Sequence, residues 1–463
     1  MSSLNRFVTL GEISDRIGDG LHGTPAYSEN GEYFFINGNN LIDGEIILNE
    51  KTKSCSESEY DKYKKNLSNN TILISINGTI GNLAFYKGEN VILGKSACYI
   101  NIKSDVDKNF IYYALKSSKF QNYIKSQATG STIKNVSLKL LRDYVLELPD
   151  IIQQKRISKI LSNLDDKIRI NNQINQTLES IAQAIFKSWF IDFDPVRAKM
   201  AAKQEGKGPE LAAMCVISGK SESELEQMSE EDFAELQATA ALFPDELVES
   251  ELGEVPKGWE IGCVGDIATV RGGYAFKSLQ FVDKGYPVIK IKNITGDGKV
   301  DIQDTQCIEE KTAQIASKFI LNDSDLVMAM TGATVGKIGL VNTYGKLVYL
   351  NQRVAKFESD TFGNKVGYYL FCLFNRSEYF EQIVGTAQGS AQPNISSSGI
   401  ESTRIIVPNF EVINLFIRKV DSIFQYWLEN GSVNNTLREV RDTLLPKLLS
   451  GDVDVSNVKE SLA

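Results

Sequence analysis

The stretch TGATVGK at residues 331–337 is where the sequence most invites nucleotide chemistry. A phosphate-binding loop needs four residues between its glycines and a Ser or Thr after the lysine, so that amides cradle phosphate and the hydroxyl reaches Mg. Here three residues separate Gly332 from Gly336, and Ile338 follows Lys337. The spacing predicts a tight turn whose exposed backbone amides can meet a phosphate without hydrolysing it. Asp192 and Asp194 in FIDFDP raise a metal pair. A metal needs further convergent ligands. The chain has a single histidine, His22, and its six cysteines (55, 98, 215, 263, 307 and 372) form no C-x-x-C. The two aspartates therefore read as a helix-end or docking feature, and the thiols as reduced and mostly buried. Neither N-P-P-[FY] nor D-P-P-Y occurs, and no helicase motif or nuclease carboxylate set stands out. The sequence predicts no catalytic residues, no metal site and no cofactor in this chain.

What remains is binding chemistry. Phosphate affinity draws on Lys, Arg and backbone amides, and base discrimination on side chains such as Arg, Lys, Asn and Gln. Polar loops supply such residues in two sets. The first is Asn39, Asn40, Thr79, Ser131, Thr132, Lys134 and Asn135; the second is Lys290, Lys292, Asn293, Thr334, Lys337, Ser390, Gln392 and Asn394. Any one of them serves equally as a solvated turn residue. As a set they point to DNA contact.

The elements that must carry these loops are written twice. TLGEIS (9–14) matches CVGDIA (263–268), and FFINGNNL (34–41) matches PVIKIKNI (287–294). TILISINGTIGNLAFY (71–86) matches DLVMAMTGATVGKIGLV (325–341), with Thr79 and Gly81 answering Thr334 and Gly336. ATGSTIKNVS (128–137) returns as AQGSAQPNIS (387–396), keeping Gly, Ser, Asn and Ser at one spacing. Short β-rich runs such as ILISI and LVMAM, then an amphipathic helix, make each copy a mixed α/β domain of about 150 residues.

A heptad seam follows each copy. Ile157, Leu161, Leu164, Ile168, Asn171, Asn175, Leu178, Ala182, Ile185 and Trp189 alternate steps of four and three. Adding 259 gives Phe416, Val420, Ile423, Trp427, Asn430, Asn434, Leu437, Arg441, Leu444 and Leu448. The shared double asparagine predicts an antiparallel coiled coil in which Asn171 faces Asn434 and Asn175 faces Asn430. Leu164 against Arg441 is the poor layer, with the arginine expected to snorkel to water. Pro446 should kink or fray the last turn.

The expected fold is therefore α/β (mixed α+β), with two similar domains separated by two long antiparallel helices in an internal pseudo-two-fold repeat. The expected parts are a first domain at 1–150, a helical spacer at 151–200, an acidic linker at 201–256, a second domain at 257–409, a second spacer at 410–450 and a tail at 451–463. The chain's 463 residues, 42% hydrophobic and 24% charged, fit a soluble globular protein of two or three domains. No apolar run reaches membrane-spanning length and MSSLNRFVTLGE lacks a signal pattern, so a cytoplasmic protein without membrane contact is expected. The net charge of −9 is local: residues 201–256 hold 14 Asp/Glu against three Lys, leaving the remainder at about +2 and free to approach phosphates.

The order and duplication of these motifs resemble the specificity subunits of type I restriction–modification systems along essentially the whole chain. SWFIDFDPVRAKM (188–200) and LFPDELVESELGEVPKGWE (242–260) are the most telling segments. The resemblance implies that each domain reads one half of a split duplex DNA target. It implies that the helices space the half-sites and dock two methyltransferase (modification) subunits, with restriction/translocase subunits joining. S-adenosylmethionine, ATP and Mg would belong to those partners. Two features depart from the pattern: the acidic SESELEQMSEEDFAELQATAA (221–241), and Pro393 where the first copy has Lys134. Two other readings compete: a non-DNA structural adaptor, and a nucleotide-binding enzyme built on TGATVGK.

Overall fold

The computed structural model describes residues 6–130, 134–386 and 393–456. It divides into two compact units, Met1–Arg169 with Thr436–Ala463, and Ile170–Asn435.

The first unit is built on the fully buried strand Thr71–Ser75, whose run of Ile and Leu suits a two-sided core. It pairs antiparallel with Ala97–Ile102 and Leu83–Phe85, and Ser14–Asp19 closes the four-stranded sheet. A second sheet orders Lys53–Cys55, Tyr33–Ile36 and Val91–Leu93, the last two parallel. The helix Lys108–Lys116 starts where the Asp107 carboxylate accepts the Phe110 N–H at 2.7 Å. It buries Phe110, Ile111, Tyr112, Tyr113 and Leu115 in the main core. Arg6–Thr9 pairs with Val145–Leu148, tying the start of the domain to its end.

The second unit repeats this plan. Thr269–Gly272, Val354–Glu358, Leu326–Ala329 and Ile338–Leu340 follow the same sheet order, with Gly298–Lys299 added at the edge. Tyr286–Ile289 runs parallel to Val348–Leu350, as its counterpart does in the first unit. Glu260–Cys263 pairs with Arg404–Val407, the equivalent of the first unit's closing ladder.

The two seams form helices of 40 residues each, Ile151–Phe190 and Phe410–Leu449, each about 60 Å long. Within the second unit, Asn171 Nδ2 donates to Asn434 Oδ1 at 2.9 Å, and Asn430 Nδ2 to Asn175 Oδ1 at 3.0 Å. These pairs make the helices antiparallel in the expected asparagine register. None of the twenty seam residues is exposed. Arg441 departs from expectation. Instead of reaching water, its side chain is 13% exposed and donates to Asp165 Oδ1 at 2.6 Å, within the first unit. The helix also continues past Pro446, whose carbonyl accepts the Ser450 N–H at 3.0 Å, so the last turn does not fray.

The acidic stretch expected as a linker is folded. It forms helices Pro209–Ser218, Glu222–Leu225 and Glu230–Ala241, then the hairpin Leu247–Ser250 with Gly253–Pro256. Its acids face outward while Ala213, Met214, Ile217, Leu225 and Phe243 enter the second unit's core. Serines start the last two of these helices, Ser221 and Ser229, and Ser229 Oγ accepts the Asp232 N–H at 3.1 Å. The segments SWFIDFDP and EVPKGWE meet in that core. Trp189 packs edge-on to Phe243 at 5.2 Å, and Phe193 edge-on to Trp259 at 5.6 Å. Phe193 takes φ 55° between the first long helix and the helix Asp194–Gln204, turning the chain sharply. Asp192 pairs with Lys187 and Asp194 opens that next helix, so both aspartates serve a helix junction.

Candidate nucleic-acid interface

In each unit the two repeated loops are docked on one another through backbone hydrogen bonds. In the first, the Gly78 N–H donates to the Lys134 carbonyl at 3.2 Å, and the Val136 N–H to the Ile76 carbonyl at 2.8 Å. In the second, the Gly332 N–H donates to the Pro393 carbonyl at 3.0 Å, and the Ile395 N–H to the Met330 carbonyl at 2.9 Å. Position 134/393 contributes only an acceptor to this dock. Proline, which lacks an N–H, therefore replaces lysine without breaking it. The recurring serines are helix caps: Ser137 Oγ accepts the Leu140 N–H at 3.2 Å, and Ser396 Oγ the Gly399 N–H at 3.0 Å.

The glycines that recur in the first loop of each pair are conformational. Gly81 has φ 92°, and a Cβ there would lie 2.2 Å from Gln121 Oε1; Gly336 has φ 81° and would meet Phe380 at 2.9 Å. The turn spends four of its amides inside the fold. The N–H groups of Gly332, Val335, Gly336 and Lys337 go to the carbonyls of Pro393, Gly332, Ala329 and Thr334. TGATVGK thus runs from a short 3-10 turn into the strand Ile338–Leu340, with no helix N-terminus to hold phosphate.

The structure separates the sequence-derived site residues into groups. Asn39, Thr79, Lys134 and Asn135 are exposed, and Asn135 bridges to both Asn77 and Thr129, joining the loops. Thr334 and Lys337 are half-buried in the second copy's turn, and Asn394 is exposed beside Thr331. Ser131, Thr132, Ser390 and Gln392 lie outside the described residues. Asn40 and Asn293 are buried at 6% and 1% exposure, and their amides are engaged. Asn40 accepts the Asn37 N–H and donates to the Ile47 carbonyl; Asn293 accepts the Lys290 N–H and donates to the Asp304 carbonyl. Their assignment as contacts gives way to a loop-building role, because buried amides held by their own loops are out of reach of a base edge.

Lys292 is exposed and pairs with Asp304 at 3.0 Å, while Lys290 Nζ sits 3.3 Å from the centroid of the Phe281 ring. Burial, and secondarily Lys292, push the Lys290 amine below the usual lysine range. Sequence reasoning missed a groove in the first unit lined by Ser14, Arg16, Lys65, Tyr99 and Arg142. Arg142 Nη2 donates to the Ile17 carbonyl at 2.9 Å there. The repeat offered a signal, since Arg142 lies at the end of the helix that Ser137 caps, but its counterpart Glu401 has the opposite charge. Glu401 accepts the Val270 N–H at 2.8 Å. The two copies share a scaffold and differ in the chemistry mounted on it.

All six cysteines are free. Among the described residues no cluster of His, Cys, Asp or Glu could hold a metal, and no helix is long and apolar enough to cross a membrane.

A mixed α/β domain with docked polar loops, built twice and each time followed by a long helix, defines a recognition protein with two similar modules. The chain belongs to the type I restriction modification DNA specificity domain family, whose model matches residues 4–180 and 256–425. It is 33% identical over 360 residues to the HindI specificity subunit of Haemophilus influenzae, covering 74% of this chain and 77% of that one. It is 26% identical over 440 residues to the MjaIX specificity subunit of Methanocaldococcus jannaschii, covering 94% and 87%. The fold matches the crystal structure of a type I restriction-modification S subunit from M. genitalium, with a TM-score of 0.53, 16% identity and 96% of each chain covered.

Proposed function

We propose that this chain is the sequence-reading subunit of a type I restriction–modification complex, and that each of its two domains reads one half of a bipartite duplex target. The observation that carries this reading is the loop dock, Gly78 to Lys134 and Gly332 to Pro393, built twice on one scaffold and armed differently. A split, asymmetric sequence calls for two readers of one design with different side chains. Phosphate contacts would fix each reader on the duplex, and exposed loop side chains would discriminate bases.

The chain performs no chemistry itself in this account. Two modification subunits would bring S-adenosylmethionine, and restriction subunits ATP and Mg. The paired helices would dock the modification subunits and set the distance between half-sites, in the cytoplasm where the genome lies. The family membership and the absence of a phosphate cradle in TGATVGK support this over a nucleotide-using enzyme. The test is retention of the assembled complex with its modification subunits on duplexes from the host genome. One bipartite sequence should be retained and methylated over all others. Equal affinity for every duplex would refute the reading.

A further inference from the structure

The two long helices carry the same asparagine layers, which creates a pairing ambiguity. Adding 259 converts Asn171 and Asn175 into Asn430 and Asn434. An antiparallel partner that satisfies the first helix can thus be the chain's own second helix or the first helix of a second copy. In such a like-helix pair, Asn171 would face Asn175 of the other copy and Ile168 would face Leu178. The asparagines fix register and are blind to this choice.

One layer is not blind. Asp165 accepts from Arg441 Nη1 at 2.6 Å and from the Tyr113 hydroxyl at 2.9 Å, and pairs with Lys116 at 3.4 Å. At the corresponding positions of the other repeat stand Phe424 for Asp165, Ala182 for Arg441 and Tyr369 for Tyr113. All three are buried in an apolar core, and Phe424 stacks on Tyr368 with centroids 4.5 Å apart. Pairing first helix with first helix would set Asp165 against Ala182. Pairing second with second would set Arg441 against Phe424. In either arrangement Asp165 keeps Tyr113 and Lys116, and Arg441 keeps Asp442, but the charge-assisted bond between the two helices is lost and an apolar side chain takes its place. The remaining seam layers change only in the size of apolar groups, or keep their asparagines.

We propose that the Asp165–Arg441 pair is a partner-selection device: it selects a second helix as the partner of the first and disfavours association with a second copy through like helices. This does not depend on what the two domains read.

Sedimentation velocity of the full chain over a wide concentration range tests it. The D165L/R441L variant makes the layer apolar in every pairing, and should associate at least about tenfold more tightly than the parent, a difference of about 1.4 kcal/mol. D165E/R441K restores an ion pair and should return the chain to parental behaviour. Adding I168C/L178C to D165L/R441L identifies the dimer. The two positions lie about 15 Å apart along one helix, so they cannot bond within a chain, but they face each other between like helices. Oxidation should give a covalent dimer in that background and none in the parent. If D165L/R441L fails to fold, D165N/R441Q removes the charges while keeping hydrogen-bonding groups, and carries the same expectation. A folded neutral variant that stays as monomeric as the parent, or that dimerises without forming the disulfide introduced by I168C/L178C, would overturn the proposal.

Discussion

Asn430 donates from Nδ2 to Asn175 Oδ1 at 3.0 Å, and Asn175 in turn donates to the Trp427 carbonyl at 2.9 Å. Both side chains are buried between the long helices. The bond therefore has no water to replace it, which sets the size of the first prediction. N175L strands the Asn430 amide and should lower stability by about 1–3 kcal/mol in urea unfolding. The double variant N175L/N430L replaces both partners by apolar groups and should recover most of that loss. It should also relax the register that the polar layer enforces. Equal losses in the single and double variants would mean that the asparagines do not act as a pair.

The second prediction concerns pH. Burial raises the Asp165 carboxyl, but Lys116, Arg441 and the Tyr113 hydroxyl outweigh it and hold the group below the ordinary carboxylate range. A depressed folded-state value means that Asp165 contributes stability above the unfolded value, about 3.9. That contribution is lost as pH falls through the lower, folded value. Thermal midpoints of D165N and the parent should therefore differ most near neutrality and converge as pH falls below the ordinary carboxylate range. A constant gap across that range would contradict the ionic role.

Phosphate contact gives the third. Lys134 is exposed at the docked loop, and only its backbone carbonyl is used in the dock. K134A should leave the fold and the recognised sequence unchanged, weaken the assembled complex on every duplex, and reduce the salt slope by about one unit. An altered target sequence with an unchanged slope would make Lys134 a base contact instead.

Much of this molecule is legible in its sequence. The duplication, the β-rich runs and the double asparagine follow from periodicity, because burial imposes it. What could not be read was where backbone groups point. Asn40 and Asn293 look like contacts because they are polar loop residues, yet they close their own loops. TGATVGK looks open-handed, but four of its amides go to Pro393, to Ala329 and to its own turn. The acidic 201–256 stretch hid its core residues, since Met214, Ile217 and Phe243 are sparse among carboxylates and meet Trp189 only through the fold. Arg441 shows the same limit: its partner Asp165 lies beside the seam position, where heptad counting does not look.

The helices supply the fourth prediction. If they set the half-site separation, a matched heptad inserted into both, between Ile157 and Ile168 and between Leu437 and Leu448, adds about 10 Å. At about 3.4 Å per base pair, the spacer in the methylated target should grow by roughly three base pairs, with both half-site sequences retained. An active complex with the original spacer would remove the ruler.

The central claim, that two independent readers share one split target, is tested most directly by exchange. Residues 1–150 are replaced with the first domain of another family member, and the methylome of cells carrying the hybrid is sequenced with the modification subunits present. The account predicts a new sequence in one half of the target, with the other half and its position unchanged. Changes in both halves would contradict it.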